Sequence, residues 1–243
     1  MKKIILTFGI LMLFLSCINK KKNLQEQFEN GPKENVSSRY VKDNTLFSNE
    51  LPKIEIKVNS EFKFVGKFDY EIIANSDEYS KNMQGKPVAS GERYVFVSTD
   101  KNRSVNKLFI VQLEGFLSEN DLIYNYNFDK AEFIGKNKYR HNTWFYDSKK
   151  QTQENPLSEG AKTRVFLKEK GFLLEDEFMM SRYVGLASQD RKNEIIIFYQ
   201  EMLNNTTGYS LNEYENTITK NEANLIRKLF IERSKNSFNI IKG

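Results

Sequence analysis

The sequence predicts an α+β domain, mainly antiparallel β, with about eight or nine strands in a curved sheet or small barrel and a C-terminal helix. Three observations carry that expectation. Beyond residue 51, apolar side chains alternate with polar ones at a period of two, as on strands with one wet face. The stretch 189–193 separates two apolar runs in the manner of a hairpin loop. Near the C-terminus a capping box opens a run of helical spacing.

In chain order, Ile54, Ile56 and Val58 alternate with Lys53, Glu55 and Lys57. Phe62, Phe64, Gly66, Phe68, Tyr70 and Ile72 continue that spacing, with Glu61, Lys63, Lys67, Asp69 and Glu71 on the opposite face. Further strands are expected over 93–99, 107–116, 122–128, 143–146, 163–168, 182–187 and 194–201. The segment 175–183 fits either a helix or the lead into a strand. Thr219-Lys220-Asn221-Glu222 matches the capping box, in which Thr and Glu satisfy each other's backbone N–H groups. Ile226, Leu229, Phe230 and Arg233 follow at helical spacing through about Ser234, which predicts a helix that closes the sheet through Ile226, Leu229 and Phe230. Residues 237–242 suit a final edge strand, and no internal repeat is visible.

Composition removes several classes. The 243 residues include one Cys and one His, which excludes a disulfide framework, a multi-Cys zinc site and the two-His metal motifs. A hydrophobic share of 39% with 13% aromatic supports one real core. The formal charge of +5 includes Lys2 and Lys3; from Cys17 onward 35 basic residues face 32 acidic ones, a net of +3. That balance is no basic footprint, and abundant Lys, Asn, Ile and Phe beside few Ala follows the codon bias of an AT-rich genome. Nucleic acid is therefore not an expected partner.

The N-terminus reads as an address. Met1-Lys2-Lys3 is a positive n-region, and residues 4–15 form a stretch of twelve without a charge. A spanning helix needs about 20 apolar residues, and Lys20-Lys21-Lys22 ends the run early, so a cleaved export signal is expected. Leu13-Phe14-Leu15-Ser16-Cys17 resembles the lipobox of bacterial lipoproteins, with Phe14 and Leu15 where the commonest form has Leu and a small residue. The resemblance implies diacylation of Cys17 and cleavage before it. A sole Cys placed where the hydrophobic signal ends agrees with it. Ile18 and Asn19, with no Asp after the Cys, suggest the outer rather than the inner membrane. The expected organisation is a signal peptide over 1–16, a lipidated Cys17 with a flexible tether over 17–50, and one β-rich domain over 51–243.

Chemistry is sparse. There is no Gly-x-Gly-x-x-Gly, Walker-type loop, Gly-x-Ser-x-Gly elbow or His-Glu-x-x-His motif. No cofactor and no metal site is expected, since no spacing resembles an EF-hand loop. One cluster stands out. Tyr139, Arg140, His141 and Trp144 fall in a run mixing polar and aromatic residues, where the rings can stack on a ligand and Arg140 can hold an anion; Ser–His catalysis would have to use His141. Carboxylate chemistry would draw on Asp69 with Glu71, or on Glu175-Asp176-Glu177. The stretch 64–71 faintly resembles the first-strand Gly-x-Trp motif of lipocalins, with Phe68 in place of Trp. The inventory points to a membrane-anchored, non-enzymatic binding or envelope-assembly module for a partner protein, glycan or small apolar ligand. A carboxylate-based envelope hydrolase and a lipocalin-like carrier are the alternatives.

Overall fold

Eleven strands and five helices make up the described part of the chain, Ser38–Gly243, in a computed structural model. The predicted signal peptide, Cys17 and the tether as far as residue 37 lie outside the described residues. In chain order the elements begin with β1 (Arg39–Lys42), β2 (Thr45–Ser48), β3 (Ile54–Val58), β4 (Lys63–Ile73), β5 (Pro87–Thr99) and β6 (Val105–Phe116). There follow β7 (Glu132–Ile134), β8 (Asn137–Asp147), α1 (Ser148–Glu154), α2 (Glu159–Glu169), β9 (Glu177–Leu186) and β10 (Asn193–Met202). The chain ends with α3 (Leu203–Thr207), α4 (Leu211–Asn216), α5 (Lys220–Asn236) and β11 (Phe238–Lys242).

The strands form two open antiparallel sheets. One has four strands in the order β1-β2-β3-β11, the other seven in the order β4-β5-β6-β10-β9-β8-β7. Each runs from one free edge to another, which corrects the expected curved sheet or small barrel of eight or nine strands. A sheet need not close on itself when both of its faces can be covered, and the seven-stranded sheet is covered on both. On one face Tyr94, Phe109, Ile197 and Tyr199 pack with Leu46 and Ile56 of the small sheet and Phe230 of α5. On the other, Val95, Ile110, Ile196 and Phe198 pack with Phe166 and Leu167 of α2. The central strands β6 and β10 therefore read as nearly continuous apolar runs rather than a clean alternation.

Local chemistry explains where other elements depart from their expected places. The segment predicted as tether contains the β1–β2 hairpin, turned by Asp43 and Asn44 at φ 49° and 57°. Asp and Asn tolerate the left-handed region that such tight turns need, and Leu46 is fully buried. The apolar series from Phe62 to Ile72 serves two faces, because a bulge at Gly66 (φ 133°) shifts the register of β4 on β5. Phe62 and Phe64 join the core under the small sheet, and Phe68 joins the core under α2. Residues 163–168 lie in α2, not in a strand: Ser158 caps that helix by accepting from Ala161 N, and Leu167 is buried. Residues 122–128 are extended but join no sheet; the Arg191 guanidinium donates to the carbonyls of Tyr124 (2.8 Å) and Tyr126 (3.1 Å).

Helix α5 carries the capping box, with Thr219 Oγ1 accepting from Glu222 N and Glu222 accepting from Thr219 N at 2.9 Å. Its inner face is set differently from the expectation. Phe230 is 0% exposed and Ile226 half-buried, but Leu229 is 43% exposed. The buried position one turn beyond Phe230 is Ser234, whose Oγ bonds Tyr183 Oη at 3.0 Å. Urea unfolding of Phe230→Ala is expected to show a loss of about 3–5 kcal/mol. Leu229→Ala should change stability by no more than about 0.5 kcal/mol. Equal losses from the two would mean that the helix is rotated on the sheet.

Candidate functional site

Strands β6 and β10 are neighbours, and their register sets Glu114 directly opposite Glu194. Same-face residues so placed have Cβ atoms about 4.5–5.5 Å apart, and both side chains point to the face that α2 covers. That cover is incomplete. A cleft of about 400 Å³ lies over the sheet, bounded by Tyr124 and Tyr126 of the 117–130 loop, by Trp144 and Tyr146 of β8, and by Ser158 and Glu159 at the start of α2.

The polar groups in the cleft are held by a connected network. Glu114 accepts from Tyr70 Oη (2.6 Å), Tyr124 Oη (2.8 Å) and Gln112 Nε2 (2.7 Å). Burial first, and the Glu114 charge second, push both phenols up, so they remain protonated donors. Tyr70 reaches Glu114 across Gly91, where a Cβ would stand 2.5 Å from Tyr70 Oη and 2.8 Å from Leu113 O. Arg93, 5% exposed, donates to Gln112 Oε1 (2.9 Å), Glu159 O (2.6 Å) and Thr163 Oγ1 (2.6 Å), and its guanidinium lies 5.0 Å from the Phe198 ring. Burial pushes that guanidinium down, and the surrounding acidic groups and phenols oppose the shift.

Glu194 is the least satisfied member. It is 2% exposed, lies opposite Glu114 and lines the cleft with Tyr126, and its Oε2 has no protein donor. Burial first, then the Glu114 charge, push its carboxyl up to about 8, against the opposing pull of Tyr126 and Arg182. At neutral pH Glu194 therefore keeps its proton. Among the described residues no group of three or more His, Cys, Asp and Glu side chains is placed to hold a metal ion.

Strand alternation divides the cluster expected from sequence. Trp144 lines the cleft, and Arg140 shares its face, 5.9 Å from the Tyr126 ring. Tyr139 and His141 belong to the opposite face. Tyr139 is buried under Gly185, and His141 stacks on Tyr183 at 4.3 Å. His141 also joins Ser181 Oγ to Nε2 (2.6 Å) and Glu132 Oε1 to Nδ1 (2.8 Å), the order of a Ser–His–acid triad. Ser181 is 0% exposed, so no substrate meets its Oγ. Lys235 of α5 bonds the same Glu132 at 2.8 Å, which makes the chain a brace between β7, β8, β9 and α5.

The other sequence candidates do not converge. Asp69 pairs with Lys67 at 3.3 Å on an exposed face that Glu71 shares. Asp176 pairs with Arg164 at 2.7 Å, and Glu177 Oε2 accepts from Leu211 N at 2.8 Å. Burial holds Glu175 above the usual carboxylate range. Sequence reasoning missed Glu114 and Glu194. Their signal was acidic residues at inward positions of otherwise apolar strands, Glu114 two residues after Gln112.

The proton on Glu194 links stability to pH. Unfolded, the residue titrates near 4.5; folded, it does so at about 8. Between those values the folded state binds more protons, so this contribution is full below the lower value and lost as pH rises through the upper one. Urea unfolding of wild type and Glu194→Gln at about pH 5 and about pH 9 should show the variant gaining on wild type as pH rises. A difference that stays constant would contradict the retained proton. No protein-family model matches the chain, and no curated protein and no solved structure is significantly similar to it.

Proposed function

We propose that the chain is a lipid-anchored binding module of the bacterial cell envelope, and that its cleft over the seven-stranded sheet takes a small ring-bearing molecule. The cleft is the observation that carries the binding half. It joins half-exposed aromatic walls, Tyr126, Trp144 and Tyr146, to a buried carboxyl with an unbonded oxygen. Concave sites with mainly apolar walls and a few fixed polar groups are what small-molecule binding requires. The anchoring half rests on the sequence: the sole Cys at position 17, directly after an apolar export signal, with two or three acyl chains giving the firm hold that a single chain lacks. The absence of Asp after Cys17 favours the outer membrane.

One expression experiment tests both halves. Wild type should incorporate labelled palmitate and sediment with membranes, and Cys17→Ala should do neither. Trp144 is the only tryptophan in the chain, so its emission reports on the cleft. Adding the uncharged aromatic probe N-phenyl-1-naphthylamine should quench it saturably, and Ile72→Phe, which fills the cleft rim, should weaken that quenching. Acylation of the alanine variant would refute the anchor. Quenching that is absent, or indifferent to Ile72→Phe, would refute the cleft as the binding site.

A further inference from the structure

We propose that the molecule taken by the cleft is an uncharged sugar ring, stacked on Trp144 and Tyr146 and hydrogen-bonded through its hydroxyls to the Glu194 carboxyl. This rests on the reading of the cleft as a binding site and names the chemistry it selects. The argument turns on which groups the protein leaves free. Most of the charges near the cleft that would attract an ion are already used internally. The Glu114 carboxylate is taken by Tyr70, Tyr124 and Gln112. The Arg93 guanidinium is taken by Gln112, Glu159 O and Thr163. Arg182 lies 6.0 Å from the Phe198 ring. Lys162, on the adjoining helix, turns to Tyr70 and to Glu71 O instead.

With its proton in place Glu194 adds no charge, and the lining then holds Arg93 and Arg182 against Glu114 and Glu159. A charged ligand would upset that balance in a place with little water to compensate. Apart from Glu159 and Arg182, whose charges offset each other, the groups left to a ligand are neutral: the unbonded Oε2 of Glu194 and the aromatic faces. A hydroxyl both donates and accepts, so it can satisfy a carboxyl oxygen and an O–H together. A pyranose adds an apolar C–H face for the rings of Trp144 and Tyr146. About 400 Å³ is room for one or two such rings.

The test uses the full chain and Trp144 emission, with disaccharides of similar size and different charge. The uncharged set is cellobiose, maltose and N,N′-diacetylchitobiose; the cationic member is the fully deacetylated chitobiose, and the anionic one digalacturonate. At least one uncharged sugar should bind saturably, with each charged sugar weaker by about tenfold or more. Glu194→Gln, which keeps a neutral hydrogen-bonding group, should hold affinity to within about threefold, and Glu194→Leu should lose about tenfold or more. Tightest binding of the amine, lost in Glu194→Gln, would overturn the proposal in favour of a cation site. Tightest binding of the uronide would overturn it in favour of an anion site. If no sugar changes Trp144 emission while N-phenyl-1-naphthylamine still does, the sugar inference fails and the cleft reading stands. If neither does, both fail.

Discussion

Burial of both faces of the seven-stranded sheet is the constraint on which the rest of the molecule depends. The small sheet and α5 cover one face, α2 and the 117–130 loop the other. Any polar side chain on β6 or β10 must then find its partner inside the protein or go without. Two buried acids on β10 show two solutions. Glu201, on the α5 side, is met by both guanidinium arms of Arg233 at 2.7 and 2.8 Å. Glu194, on the α2 side, has no such cation and retains a proton beside Glu114.

The second solution depends on the surrounding backbone. Gly91 lets Tyr70 cross β5 to Glu114, and Arg191 pins the loop that delivers Tyr124 and Tyr126. Arg93 ties β5 to the first turns of α2 and so fixes the edge of the cleft. An unmet buried oxygen costs about 1–3 kcal/mol. That cost is offset elsewhere in the fold and falls at a residue that lines the cleft. The same Oε2 is buried, so a ligand hydroxyl meets it only as the Glu194 side chain turns toward the cleft, but no hydrogen bond of that oxygen has to break.

Much of the local structure was legible in the sequence. The period of two gave the antiparallel strands, Thr219 with Glu222 gave the start of α5, and residues 237–242 gave the final edge strand. What escaped depended on contacts distant in sequence. The fold class was right in its α+β, antiparallel character and wrong in its curved or closed sheet, because alternation says nothing about what covers a face. Gly66 hid a change of face inside an unbroken alternation. Thr163, Val165 and Leu167 alternate like a strand, but the Ser158 cap starts a helix that buries Thr163 and Leu167, one turn apart, and leaves Val165 exposed. Trp144 was singled out with His141, yet β8 sends them to opposite faces. Glu114 and Glu194 become a pair only through the register of β6 on β10, which no local pattern encodes.

The proton retained by buried Glu194 is the central claim, and infrared spectroscopy of the carboxyl groups tests it most directly. At neutral pH the folded protein should show a protonated-carboxylic C=O band from a buried acid, fading as pH passes about 8. The band should be missing from Glu194→Gln. A spectrum at neutral pH with only ionised carboxylates, or a band that survives in Glu194→Gln, would contradict the retained proton.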